Sequence, residues 1–317
     1  MVALGLDIGG SSIKGGFVER NGLIHDRLVF PIDPSKNQEA IVEELISVVN
    51  LTIKRSLLPL EQIQGIGVGC PGSINSATGH CDYSNNLKWE NLPLGPLLAQ
   101  GTGLRVKVAN DANAAALGEV TFGVGKGYEN LVFLTIGTGI GSGLFLNGRL
   151  YEGNEGKGAE LGHTLLVMNG KHCTCGRKGC LEAYCSIGAL KGMIKDAIEK
   201  NPSSLLRQAD SFDAASYDPR WLFLAAKKGD KAAKKVLNEY VANLGEGLLN
   251  IINAFRPEII VIGGGVSAQK EALTAPLIAY LEKNHYGFGG LHAPKVKIVT
   301  SEFGNDAGIL GAASLVF

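Results

Sequence analysis

The sequence predicts an α/β protein assembled from two related halves, and three features carry that reading. A unit of strand, glycine turn, strand, Asn-Gly turn and strand occurs twice. It reads LGLDIGGSSIKGGFVERNGLI near the start and LVFLTIGTGIGSGLFLNGRL at Leu131–Leu150. Short apolar runs ending in glycine alternate with segments of helical periodicity. The 44 glycines among 317 residues sit in short loops after those runs, not in low-complexity tracts, so they mark turns and close backbone approaches.

The first unit reads as a β-meander: Val2–Ile8, a glycine turn, Ile13–Val18, the turn Arg20-Asn21-Gly22, then Leu23–Phe30. Ile41, Leu45, Val48, Val49 and Thr52 recur at helical spacing in a helix that ends before Pro59. Ile63–Gly69 is a short strand running into Pro71-Gly72, and Val106–Ala109 another, which delivers Asn110-Asp111 to an alanine-rich helix. The second unit then matches Gly9 with Gly137, Gly15 with Gly143, Phe17 with Phe145, and Asn21-Gly22 with Asn147-Gly148, two residues earlier in register. Helices follow over 186–200, 219–228 and 231–254. A buried strand at Ile259–Ile262 enters Gly263-Gly264-Gly265, a last strand covers Lys295–Val299, and a small-residue helix runs over Asp306–Val316. The repeat places a domain seam near residue 110.

Thirty basic and thirty acidic residues cancel, and only 19% of residues are charged. No basic run suggests nucleic acid or an anionic membrane as partner. The N-terminus lacks a basic, then apolar, signal pattern, and no apolar run reaches membrane-spanning length. Six scattered cysteines with no export signal point to a reducing, cytoplasmic setting.

A strand ending in a glycine turn exposes backbone N–H groups that suit phosphate oxygens. Three such loops occur: Asp7-Ile8-Gly9-Gly10-Ser11, Thr135-Ile136-Gly137-Thr138-Gly139 and Gly263-Gly264-Gly265. Neither a P-loop pattern nor a clean GxGxxG after a first strand is present, which disfavours a Walker ATPase or a Rossmann dehydrogenase. The duplicated loops suggest a cleft gripping a polyphosphate from both sides. The nucleotide candidates are Asp7, Gly9, Gly10, Ser11, Lys14, Gly137, Thr138, Gly139, Gly264 and Gly265. Asp7 either positions Mg2+ through water or caps its turn. Asp111 or Asn110 either faces a cleft or caps the alanine-rich helix. Glu160, His163 and Glu182 offer the acceptors and donors that sugar hydroxyls need, or are surface acids and an ordinary histidine.

The stretch HCTCGRKGC holds Cys173, Cys175 and Cys180. It has no Cys-x-x-Cys redox spacing, and Cys-x-Cys is strained as a disulfide. Three thiolates and one imidazole, from His163 or the adjacent His172, complete a tetrahedral zinc set, and free structural cysteines are the alternative. A closed four-ligand site is structural. Arg177 and Lys178 read as solvated loop charges, and Cys70, Cys81 and Cys185 as reduced core or loop residues.

Over essentially its whole length the chain resembles the ROK family of sugar kinases, within the actin, sugar kinase and Hsp70 ATPase superfamily. PGSI at Pro71, NDANAAALGE at Asn110, GNEGKGAELGH at Gly153, CTCGRKGCLE at Cys173, PEIIVIGGGVS at Pro257 and GNDAGILGAA at Gly304 carry the resemblance together and in order. It implies two ribonuclease-H-like, actin-like ATPase domains with a cleft between them, over 1–110 plus about 301–317 and over 111–300. It implies Asp111 as catalytic base, and Asn110, Glu160, His163 and Glu182 as sugar-binding residues, with Gly72 and Asn86 as weaker carry-overs. His163 is then the zinc ligand, with ATP and Mg2+ as cofactors and a cytoplasmic homodimer or homotetramer as assembly.

The function expected is transfer of the ATP γ-phosphate to the 6-hydroxyl of a hexose, glucose first. N-acetylmannosamine, N-acetylglucosamine, allose and fructose are alternative substrates. A sugar-responsive transcriptional regulator is the second class, and such regulators look like this chain with a helix-turn-helix in front. An actin- or Hsp70-like ATPase that moves partners gives no reason for zinc-braced sugar residues.

Overall fold

The computed structural model describes residues 1–207, 218–286 and 295–317. In chain order the elements begin with β1 (Val2–Ile8), β2 (Ser12–Glu19), β3 (Ile24–Pro31), α1 (Gln38–Ser56) and β4 (Ile63–Cys70). β5 (Ser73–Asn75), β6 (His80–Ser84), β7 (Trp89–Leu92), α2 (Leu94–Thr102), β8 (Val106–Asn110) and α3 (Asp111–Phe122) follow. Then come β9 (Leu131–Ile136), β10 (Ile140–Leu146), β11 (Arg149–Tyr151), α4 (Glu182–Cys185), α5 (Ile187–Lys200) and α6 (Pro219–Lys227). The chain closes with α7 (Lys231–Phe255), β12 (Ile259–Gly263), α8 (Glu271–Asn284), β13 (Lys297–Thr300) and α9 (Ala307–Ser314).

The sequence repeat reappears as a repeat of topology. One five-stranded sheet runs β3-β2-β1-β4-β8 and another β11-β10-β9-β12-β13. In the first, β1 and β2 pair antiparallel, with Asp7 opposite Lys14, and β1–β4 and β4–β8 are parallel. In the second, β10–β11 is antiparallel and β12–β13 parallel. Both meanders turn at Asn-Gly. Asn147 and Gly148 both adopt left-handed φ, 52° and 73°, as a tight two-residue hairpin demands. At Asn21-Gly22 only the glycine does, at φ 88°, and the Asn21 carboxamide instead accepts from the Leu23 amide at 2.9 Å.

The chain divides into two compact units: residues 1–133, 142–159 and 305–317, and residues 134–141 and 160–304. In the first unit, α9 packs against β1, β4 and α3. A side chain at Gly67 would run into the Ala312 carbonyl, and one at Gly311 into the Ala114 carbonyl, so the small-residue sequence of α9 lets backbones touch. α1 buries Ile41, Val42, Leu45 and Val49, starts at the Asn37 cap and ends at Leu57 in the left-handed region. In the second unit, α5, α6 and α7 start at Ser186, Asp218 and Asp230, whose side chains accept from first-turn amides.

The expected strands and helices are present with bounds shifted by one or two residues at most ends. Sequence reading missed β5–β7, α2, α4 and α8. Among the described residues no helix is long and apolar enough to cross a membrane.

Candidate active site and metal centre

In the first unit, Asp7 is the penultimate residue of β1, and the chain turns through Gly9-Gly10-Ser11. The Gly9 amide closes this turn by donating to the Ser12 carbonyl at 2.9 Å. The amides of the exposed Gly10 and Ser11 have no backbone partner among the described residues and are the ones available to a ligand. Asp7 and Lys14 are cross-strand neighbours, so their side chains share a face of the sheet.

β8 delivers Asn110 and Asp111 to the start of α3, and here the structure separates two neighbours that the sequence left open. Asn110 is the cap: its Oδ1 accepts from the amides of Ala112 at 2.9 Å and Asn113 at 3.2 Å. Its Nδ2 donates to the Gly72 carbonyl at 3.2 Å, anchoring the Pro71-Gly72 turn. Gly72 has φ 116°, and a side chain there would strike the Tyr83 carbonyl, so glycine is required. Asp111 is relieved of capping and stands half-buried in the first helical turn, one oxygen accepting from Ala112 N–H at 2.9 Å.

Burial raises the Asp111 carboxyl above the ordinary aspartate value, against the opposing pull of the Ala112 amide. Asp7 is pushed up to about 6, by burial first and by the Asp111 charge second, with Lys14 acting the other way. Two carboxylates thus converge at the mouth of a glycine turn, an arrangement that a divalent cation relieves. Asn86 is exposed in the turn between β6 and β7.

In the second unit the other two glycine loops come together. Gly264, at φ 77°, lies against the backbone of Ile136, and the Gly265 Cα faces Ile187. The Gly137 amide is taken by the Gly139 carbonyl at 2.9 Å, as Gly9's is by Ser12 in the first loop. Exposed Thr138 and half-buried Gly139 follow it.

Glu160 and His163 bracket a single 3-10 turn, Leu161–His163, which keeps positions three apart on one side. Glu160 is exposed and His163 half-buried. Glu182 is buried at the start of α4 with both oxygens engaged. Oε2 accepts from the Ile140 amide at 2.8 Å, while Oε1 accepts from the Thr174 hydroxyl at 2.9 Å and faces the Cys173 thiol at 3.3 Å. Glu182 therefore ties the second glycine loop to the cysteine loop.

The ligand atoms of His163, Cys173, Cys175 and Cys180 all lie within 4.8 Å of one another. Cys175 and Cys180 sulfurs are 3.7 Å apart, and Cys173 Sγ is 3.7 Å from His163 Nδ1. Zinc–sulfur bonds of about 2.3 Å at tetrahedral angles require about 3.8 Å between sulfurs, so the donor set fits that ion. His172 instead forms a bridge with Lys178 across the loop and is outside the cluster. The sequence assigns no role to Thr174 and marks Arg177 only as a solvated loop charge, yet both hold this site. Thr174 orients Glu182, and Arg177 donates to the His163 carbonyl at 3.2 Å, holding the histidine turn against the loop. Neither has a local signal, because each acts on a residue eight or more positions away.

A family model described as the ROK family matches residues 3–317. A protein named glucokinase from Thermotoga maritima is 36% identical over 99% of this chain and 96% of its own length. A xylose repressor from Caldicellulosiruptor bescii is 30% identical over 89% of this chain and 69% of its own length. The crystal structure of a ROK family glucokinase from Streptomyces griseus, in complex with glucose and AMPPNP, superposes with a TM-score of 0.84. It is 30% identical, with 99% of each chain covered.

Proposed function

The chain belongs to the ROK family and is an ATP-dependent sugar kinase, and from that premise we propose that its acceptor is the 6-hydroxyl of glucose. The observation that carries the proposal is the division of labour at the start of α3. Asn110 satisfies the helix cap, leaving the raised, half-buried Asp111 carboxylate to take a hydroxyl proton. A proton acceptor with a raised pKa works closer to neutral pH than an ordinary aspartate.

In this reading the amides of Gly10, Ser11, Thr138 and Gly139 hold phosphate oxygens, and Lys14 adds a positive charge. Gly264 and Gly265 line the nucleotide's far end. Asp7, its carboxyl raised by burial first and by the Asp111 charge second, would hold Mg2+, whose charge would favour the ionised form of both carboxyls. Glu160, His163 and Glu182, with Asn110, Gly72 and Asn86, orient the hexose. Asn110 Nδ2 keeps one hydrogen beyond its bond to Gly72, and Glu182 keeps lone pairs beyond those it already uses.

His163 Nδ1 and the sulfurs of Cys173, Cys175 and Cys180 would hold a structural zinc ion. That ion supplies rigidity to the segments bearing Glu160, His163 and Glu182, and no chemistry on the sugar. The assembly in this reading is a cytoplasmic homodimer or homotetramer, to be measured by sedimentation.

The test is steady-state kcat/KM with ATP and Mg2+ across glucose, N-acetylmannosamine, N-acetylglucosamine, allose and fructose. Glucose is expected to have the highest value. A higher value for another sugar transfers the assignment to that sugar, and salt-sensitive operator binding without turnover supports the regulator reading instead.

A further inference from the structure

Between α5 and α7, beside the cysteine loop, the second unit contains an open cavity of about 470 Å3. None of its lining residues is among those assigned above to sugar, nucleotide or zinc. Its floor is apolar, formed by the buried Met193, Ala197 and Val236. Four lysines from three segments meet at its walls: Lys171 in the cysteine loop, Lys200 at the end of α5, and Lys231 and Lys235 one turn apart on α7. None of these ammonium groups forms an ion pair among the described residues. Asp196, Glu239 and Asn201 complete the rim.

Four cations against two carboxylates leave an excess of two positive charges around one concavity. A phosphate group, which carries between one and two negative charges at neutral pH, balances that excess. The volume lies in the range of about 300–1,000 Å3 that small-molecule sites occupy. An apolar floor with two carboxylates and an amide at the rim suits a carbon skeleton bearing hydroxyls. We propose that this cavity is a second ligand site, binding the phosphate group of a sugar phosphate or of free phosphate or pyrophosphate through Lys171, Lys200, Lys231 and Lys235.

Lys171 connects the site to the metal loop. Its amide donates to the Tyr184 hydroxyl at 2.8 Å, its carbonyl accepts from Gly179 N–H at 2.8 Å, and its ammonium lies 5.0 Å from the Tyr184 ring centroid. Tyr184 sits two residues beyond Glu182 in α4. An anion that draws the Lys171 ammonium off the ring therefore acts on the turn that carries Glu182.

The test reads each lysine separately in the intact, zinc-loaded protein, by acetylation rates from peptide mass spectrometry at constant ionic strength. Glucose 6-phosphate, inorganic phosphate and pyrophosphate are the probes. Selective slowing at Lys171, Lys200, Lys231 and Lys235, with Lys54 and Lys283 unchanged, is the expected result. Slowing by glucose 6-phosphate beyond that by phosphate identifies the ester as the ligand, and equal slowing identifies the free anion. K231A/K235A should lower the affinity about tenfold or more and release Lys171 and Lys200 from protection, with Tm unchanged. Uniform slowing of all six lysines, no slowing, or protection that persists in the double variant would overturn the proposal. A sugar phosphate bound near Asp111 produces none of the expected signal, so failure here leaves the kinase reading intact.

Discussion

Asn110 and Asp111 differ by one atom type and one position, yet the fold uses them for unlike ends. The carboxamide of Asn110 both accepts and donates, so it can cap α3 and hold the Gly72 carbonyl together. A carboxylate cannot donate to that carbonyl. Asp111→Asn should therefore lower kcat by about 10²–10⁴-fold, the usual worth of a general base. The KM for sugar should stay near the wild-type value, and full turnover would remove Asp111 from its assigned role. Asp7 supplies a second test. Its carboxyl stands at about 6 in the folded chain against 3.8 ordinarily. Between those values the folded state holds a proton that the unfolded chain has released. Stability of the ligand-free protein thus falls as pH rises through that window, and the loss is complete above it. Asp7→Asn abolishes the penalty, so its ligand-free form should unfold at a higher temperature than wild type at pH 7.5. The gain corresponds to about 3 kcal/mol and should vanish near pH 4. Equal melting temperatures at pH 7.5 would count against the raised carboxyl.

At the scale of elements, the cysteine loop and α9 show two ways of positioning a segment. The loop between His163 and Glu182 has little regular structure and is held by polar ties: Thr174 to Glu182, Arg177 to the His163 carbonyl, and the four-ligand cluster. Verified removal of zinc by a chelator, or Cys175→Ala, should lower Tm and raise the KM for sugar. Unchanged values of both would return the cluster to free structural cysteines. Thr174→Val removes one hydroxyl donor from a buried carboxylate and should cost about 1–2 kcal/mol in urea unfolding. α9, by contrast, is held by backbone proximity. Gly311→Val drives a side chain into the Ala114 backbone and should destabilise the chain by about 2–3 kcal/mol, whatever the metal content. The elements missed in the sequence have identifiable causes. α2 contains Gly95, Pro96 and Gly101, and α8 carries Pro276 inside it, so both look broken to a rule that reads proline as a stop. β5–β7 are three to five residues long, too short for an alternation to register.

For the molecule as a whole, the duplicated unit is the organising fact. Two sheets with the same strand order each begin with a meander whose first turn is a glycine loop, and in both loops the leading glycine amide closes the turn. Folding and ligand binding are linked in such a chain. Glucose at about a hundred times its Kd should add about 2.7 kcal/mol to the unfolding free energy, and a ranking of sugars by Tm shift should follow their affinities. No shift with glucose alongside a shift with an N-acetylhexosamine would move the substrate assignment.

Local spacing in the sequence was enough to determine where most strands and helices lie, that one unit occurs twice, and that three thiols and an imidazole could meet at a metal. Periods of two and of three to four residues, and Asn-Gly or proline punctuation, act within a few residues of chain and need no distant partner. The tertiary structure alone decided that Asn110 caps while Asp111 does not, and that Glu182 spans two loops; it placed His163, which the family resemblance implies, beside the cysteines. It also decided that four lysines from three segments surround one cavity. Apart from the Asn110 cap itself, which is local but is joined to the distant Gly72 carbonyl, these depend on groups separated by many residues, and only the packing of sheets and helices brings such groups within hydrogen-bonding or electrostatic range.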